Sequence, residues 1–301
     1  MLTKCDDGVW IVDTLALGRP GVVAAYIIRG KESALIDMGY ASSVPTVLEA
    51  IQESSLSSGG IDYLLPTHVH LDHAGACGEL AQVYPNASIR VHPKGEPHLV
   101  DPSRLWGGVR ELFGDELAKL YGKPQRIESS RVKPIGDGEE INLGNGLSLR
   151  SVWTPGHASH HLSYSLDRGD VFTGDAVGIT YPAFPTLIPT TPPTSFNLES
   201  AVESLLRIGK LSPKRFFTPH YGIIENAQHS IDTNIHSLRD WGSRVEAMLQ
   251  SGISIDEMTS TLTQQIATLD RSLRPMPDYA QMSIRISVFG MVRYLRYQMN
   301  R

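Results

Sequence analysis

Residues 66–75 read Pro-Thr-His-Val-His-Leu-Asp-His-Ala-Gly, which brings His68, His70, Asp72 and His73 within six residues. The apolar run Ile61-Asp62-Tyr63-Leu64-Leu65 leads straight into them. A strand ending in a tight loop with three imidazoles and a carboxylate is a metal site. Imidazole and carboxylate together suit zinc, iron or manganese, whereas calcium and magnesium prefer all-oxygen shells. Such a loop needs further ligands from elsewhere in the chain, and three other stretches offer them.

The first hundred residues read as strands separated by turns. Val9–Asp13 is rich in β-formers, and Gly21–Arg29 is a near-continuous apolar run that predicts a strand buried on both faces. Ala34–Asp37 resumes the sheet, Ser42–Ile51 has helical spacing, and a Ser/Gly-rich loop (Ser54–Gly60) precedes the histidine cluster. The metal loop thus falls at a strand's C-terminal end, where sheets with flanking helices place their sites. Gly78–Tyr84 reads as helix and Ser88–His92 as strand. Over about 94–130, Trp106, Val109, Leu112, Phe113, Leu117 and Leu120 recur at helical spacing and predict an inserted helical segment, either packed on the core or acting as a lid.

A second set of strands is expected over Arg131–Ile135, Glu140–Leu143, Leu147–Thr154, His161–Leu166 and Val171–Thr173. Two of these deliver one metal-competent side chain each into a Gly-containing loop, His157 after Thr154-Pro155-Gly156 and Asp175 after Thr173-Gly174. Arg215–Thr218 then ends at Pro219-His220-Tyr221-Gly222, which supplies His220. Between them, Tyr181–Thr194 holds five prolines, which forbid helix and central strand and predict a stiff irregular loop. Leu198–Ile208 reads as helix. From about residue 224 onward helical spacing dominates, in Ile231–Leu249, Ser254–Ile266 and Met282–Met299. The division expected is residues 1–223, with the insertion at about 94–130, and a helical extension over 224–301.

The chain has 301 residues, 41% of them hydrophobic, enough for a large buried core, and a net charge of −5. That balance argues against broad binding to a phosphate backbone, which needs clustered Lys and Arg. Cys5 and Cys77 lie at neither disulfide-framework nor zinc-finger spacing, so free thiols in a reducing cytosol are expected. The first residues carry no apolar signal core, and no apolar run reaches membrane-spanning length. These features predict a cytoplasmic protein.

With these residues in hand, the chain resembles the metallo-β-lactamase superfamily, whose ligand series is His-x-His-x-Asp-His, a later His, an Asp and a final His. The positions that match are His68, His70, Asp72, His73, His157, Asp175 and His220. Leu35–Gly39, Thr154–His157 and Thr173–Asp175 resemble the family's flanking segments, and the likeness covers roughly residues 9–224. It departs at the final His, which lies before Tyr221-Gly222 rather than between two glycines. The resemblance implies an α+β fold, a four-layer αβ/βα sandwich with an all-helical C-terminal extension. It implies two divalent ions, most naturally zinc, with iron or manganese also suited. One would take His68, His70 and His157, the other Asp72, His73 and His220, with Asp175 between them. A hydroxide held between the ions would be the nucleophile, with Asp72 and Asp175 as the catalytic carboxylates. His161, four residues after His157, is expected either to support a ligand by a hydrogen bond or to be a packed strand residue. His160 is expected to face the other way on the same strand, and with His92, His98, His229 and His236 to serve surface or packing roles. Trp106, Tyr181 and Tyr221 are candidates for the substrate pocket.

The reaction expected is hydrolysis of a small ester-like bond, a thioester as in the glyoxalase II-like branch or a lactone. Arg271, Arg274, Arg285, Arg293 and Arg296 put basic groups in the helical end, as a glutathione-gripping surface would, without matching the glyoxalase II motif. The helical end looks more like that of a branch containing a quinolone-pathway thioesterase. The alternatives are a metal-dependent single-strand ribonuclease, disfavoured by charge and by the lack of an aromatic-plus-basic track, and a mononuclear-iron persulfide dioxygenase. A metal-free binding protein is disfavoured because every ligand is present. The partner expected is a small molecule rather than nucleic acid or membrane, with a homodimer also open.

Overall fold

Two sheets stack face to face in this computed structural model, which describes residues 2–6, 8–54, 60–269 and 275–300, less the side chain of Asp6. Arg271, Arg274 and residues 55–59 of the Ser/Gly-rich loop lie outside the described residues. The first sheet runs in sequence order: β1 (Leu2–Asp6), β2 (Val9–Asp13), β3 (Ala24–Arg29), β4 (Ser33–Ile36), β5 (Tyr63–Leu65), β6 (Ser88–Val91) and β7 (Val132–Pro134). Its first four strands pair antiparallel and the rest parallel. The parallel crossovers carry α1 (Val44–Glu53), the short α2 (Leu71–Ala74), α3 (Cys77–Val83), α4 (Glu96–Val100) and α5 (Ser103–Tyr121). The insertion is therefore helical as expected, and Gly114, with φ of 81°, breaks α5 into two pieces.

The second sheet contains β8 (Glu140–Gly144), β9 (Leu147–Trp153), β10 (Leu162–Leu166) and β11 (Asp170–Phe172). After β11 the chain makes β12 (Ile179–Tyr181) and β13 (Phe184–Ile188), then α6 (Leu198–Gly209), β14 (Arg215–Thr218) and β15 (Gly222–Ile224). The spatial order is β15-β14-β11-β10-β9-β8. Among the described residues that follow, the chain forms α7 (Ala227–Gln250), α8 (Ile255–Leu269) and α9 (Asp278–Met299). The fold is the α+β sandwich expected, with a helical C-terminal region. No described helix is long and apolar enough to cross a membrane.

The apolar run of β3 explains the layering. Successive residues of a strand point to opposite faces. Ala24, Tyr26 and Ile28 face the second sheet, where Tyr26 meets Phe172 and Phe217 edge-on with centroids 5.3 and 5.5 Å away. Ala25 and Ile27 face outward into a cluster with Val47, Ile51, Leu80 and Ala81 of α1 and α3. Both faces are covered, so the strand carries no polar alternation. On the far side, one cluster joins Leu205 and Ile208 of α6 to Ile231, Leu238 and Trp241 of α7 and to Ile284, Val288 and Met291 of α9.

The proline-rich stretch differs from the irregular loop expected. Ile179 pairs with Ile188 and Tyr181 with Phe184, making a two-stranded antiparallel ribbon, β12-β13. Proline is tolerated there because a ribbon outside the main sheets leaves one edge of each strand unpaired. The residues after it dock on α9: Ser287 Oγ donates to the Pro189 carbonyl at 2.6 Å, and Thr191 Oγ1 donates to that of Ser287. Gly290 makes this close approach feasible, because a Cβ there would lie 1.7 Å from Thr191 O.

Candidate metal centre

β5 ends at Leu65, and the seven sequence-predicted ligands converge just beyond the C-terminal ends of strands from both sheets. His68 and His73 are fully buried, and His157, Asp175 and His220 nearly so. Nε2 of His68 and Nε2 of His157 each lie 2.9 Å from Nδ1 of His70. Asp72 Oδ2 lies 3.6 Å from His73 Nε2 and 3.7 Å from His220 Nε2. Asp175 stands between the two groups. Its Oδ2 is 3.4 Å from His157 Nε2, and its Oδ1 is 3.5 Å from His73 Nε2 and 3.3 Å from His220 Nε2. Three sets of side chains could each hold an ion: His68, His70 and His157; Asp72, His73 and His220; and His68, His73 and Asp175.

Backbone and neighbouring side chains fix these groups. Asp37, at φ of 53° just after β4, accepts from the Thr67 amide at 2.8 Å and lies 3.0 Å from His73 Nδ1. A short polar side chain is among the few that tolerate this left-handed backbone. Asp37 thus orients the metal loop from an adjacent strand end. His161 Nε2 accepts from the Asp175 amide at 3.0 Å, and its Nδ1 pairs with Thr154 Oγ1 at 2.8 Å. The turn into Asp175 requires Gly174, since a Cβ there would lie 2.4 Å from His161 Nε2.

The electrostatics differ between the two groups. Burial and the neighbouring imidazoles hold His68 well below the usual histidine range, and burial lowers His70 and His157 as well. These three stay neutral, with lone pairs free to coordinate. Burial would also lower His73 and His220, but nearby Asp72 and Asp175 outweigh it and raise both. Asp175 is held well below the carboxylate range despite burial, by His220, His73 and His157. Protons therefore sit where a cation would. His73 Nε2 and Asp175 Oδ1 are buried without a hydrogen-bond partner among the described residues. Converging donors, unpaired ligand atoms and buried negative charge fit divalent metal.

Tyr181 lies beside His220, with ring centroids 6.0 Å apart, and bonds Ser283 of α9. Tyr221 packs against the core between the sheets, with Asp13 and Cys5 nearby. Trp106 is half-buried on α5. The ring that α5 brings within electrostatic reach of Asp72 is Tyr121, stacked on Tyr40 at 4.3 Å. His160 is buried, as a packing role allows, but it does not face away from the site: its ring lies 6.3 Å from those of His68 and His70. β10 begins only at Leu162, so strand alternation does not govern residues 160 and 161. Asp37 and Tyr40 were missed as site residues. A strand-end Asp two residues before a glycine was the available signal for Asp37; Tyr40 left none.

The sequence profile of the metallo-beta-lactamase superfamily matches residues 18–220. A metallo-beta-lactamase fold-containing protein of Sulfurisphaera tokodaii is 31% identical over 209 residues, 68% of this chain and 75% of that one. An atrochrysone carboxyl ACP thioesterase of Aspergillus fumigatus is 27% identical over 72% of this chain, which spans 58% of that relative. Among solved structures, an archaeal superfamily protein from Sulfolobus tokodaii superposes with a TM-score of 0.69 at 25% identity, covering 96% of this chain and 98% of the other. A family protein of Thermus thermophilus shares the fold, with a TM-score of 0.66 at 20% identity over 98% and 95%.

Proposed function

Because this chain belongs to the metallo-β-lactamase superfamily, whose members are generally hydrolases, we propose that it is a metal-dependent hydrolase of a small ester-like bond, a thioester or a lactone. The observation that carries the reading is Asp175, whose two carboxylate oxygens face two separate histidine groups. His68, His70 and His157 would hold one divalent ion, Asp72, His73 and His220 the other, and Asp175 would serve both. Zinc fits this donor set, as do iron and manganese. When bound, such ions polarise a carbonyl and lower the pKa of water, making hydroxide available near neutral pH.

The chain's own residues do the rest. Asp37 and His161 hold His73 and the Asp175 backbone in place. Asp72 is the ligand carboxylate most open to solvent, 23% exposed, and can take or return a proton at the rim of the site. The rings near the site, Tyr40, Tyr121 and Tyr181, offer aromatic surface to an acyl or lactone group. The pKa of each is raised by burial, so each keeps its phenolic proton. Resemblance to a relative named as a thioesterase favours the thioester.

The test is turnover of a panel of acyl-thioesters and lactones by metal-loaded protein. Asp175→Ala should lower turnover by about 100-fold or more, beyond the loss seen on removing partners one shell further out. No turnover above that of the variant would sink the proposal. A single iron per chain would instead support the persulfide dioxygenase.

A further inference from the structure

Asn234 is an anomaly on α7. Its side chain is 1% exposed, and neither of its amide atoms has a hydrogen-bond partner among the described residues. A buried amide left unpaired costs stability, so a native core seldom keeps one without a use. Asn234 borders a cavity behind the metal centre that is shared with His157, Asp175 and Thr190, with room for about one water (≈ 10 Å³). Its Nδ2 also abuts Gly178, three residues after Asp175, where a Cβ would lie 3.3 Å away.

The hydroxyl groups around the cavity are engaged. Thr154 Oγ1 meets His161 and Ser163, Thr190 Oγ1 donates to the Asp175 carbonyl, and Ser204 Oγ donates to the Pro155 carbonyl. Asp175 Oδ1, itself without a hydrogen-bond partner among the described residues, is aimed at the proposed metal ligands His73 and His220. That leaves His157 Nδ1, buried and without a partner among the described residues. Nε2 of His157 faces His70 and Asp175. An imidazole that coordinates through Nε2 carries its proton on Nδ1 and needs an acceptor there.

We infer that Asn234 is a positioning residue for the metal centre: one buried water accepts from His157 Nδ1–H and donates to Asn234 Oδ1, tying α7 to a ligand. The inference rests on the reading of His157 as a metal ligand. It gives the C-terminal helices a part in the metal site, not only in the core. The ring of His157 would then be held from both sides, and its Nε2 lone pair made more basic by the bond at Nδ1.

The test is cobalt and zinc binding by the full chain, measured by chelator competition and by the cobalt ligand-field spectrum. Asn234→Leu keeps the volume and removes the acceptor. It should weaken the ion held by the His68, His70 and His157 group by about 10–100-fold and shift its cobalt bands. Asn234→Asp, which restores an acceptor, should recover most of both. Circular dichroism of each variant reports folding, and Asn234→Ala replaces the leucine variant if that one does not fold. His157→Ala is the control: if it leaves metal binding intact, the ligand reading itself fails. If His157→Ala abolishes that ion's binding while the folded apolar variant keeps wild-type affinity and spectrum, the inference about Asn234 is overturned.

Discussion

Asp37 shows how much a single side chain outside the ligand series can govern. Its carboxylate spans the Thr67 amide and His73 Nδ1, so it fixes both the start of the histidine loop and the ring of a proposed ligand. Asp37→Asn keeps the size but removes the charge that favours a basic His73. The expected result is metal affinity lower by about 10–100-fold, read by chelator competition, with little change in circular dichroism. The titrating groups predict a pH dependence whose sign follows from their directions. His73 and His220 are raised in the metal-free fold, so their contribution is full below the unfolded value of about 6.5 and is lost as pH rises through their folded values. Asp175 is depressed, so its contribution is present above about 3.9 and lost as pH falls through its folded value. Those two histidines alone would make chelated protein less heat-stable at pH 9 than at pH 6, while the lowered His68, His70 and His157 act the other way and gain stability as pH rises through about 6.5. Metal replaces those protons, so the stabilisation that metal adds should grow over the same range. A metal increment independent of pH would contradict the protonated pair.

At the scale of elements, the docking of α9 on residues 189–192 is the contact that positions the segment carrying Thr190, which bonds the Asp175 carbonyl. Gly290 is the tight point. Gly290→Ala would push a methyl carbon into Thr191 O and part the helix from that segment. A loss of about 1–3 kcal/mol is expected, at the scale of core overpacking, measured by denaturant unfolding. An unchanged midpoint would mean that the helix and segment can separate freely. The proline-rich stretch was legible as neither helix nor central strand, because proline lacks the N–H that either needs. Its pairing as a ribbon was not legible, because that depends on Ile179 and Ile188 meeting across eight intervening residues of turn and strand. The break of α5 at Gly114 was half legible, since the helical spacing runs through a residue able to interrupt it.

For the whole molecule, the helices after residue 224 share one apolar cluster with α6 and the β12-β13 ribbon. A chain ended after Ile224 would expose Leu205, Ile208 and Phe184 to water. At about 25 cal/mol per Å² of apolar surface this loss is large against a marginal net stability. The expectation is a shortened chain without a cooperative thermal transition and without tight metal binding, checked by calorimetry and zinc titration. A folded, zinc-binding fragment would instead show that residues 1–224 stand alone.

What the sequence determined by itself is local chemistry and period. His68, His70, Asp72 and His73 sit within one strand-end loop, so their meeting needs no knowledge of distant chain. The two-face burial of β3 follows from an apolar run too short for a membrane and too continuous for an exposed sheet. His157, Asp175 and His220 could be named because each ends a strand in a recognisable turn. Only the tertiary structure decided which oxygen of Asp175 faces which group, that Asp37 holds His73, that His160 is buried, and that Asn234 lines one cavity with His157. Those contacts join residues 18 to 102 positions apart through the stacking of two sheets and a helix. Local sequence patterns repeat over two to four residues and carry no information about such distances.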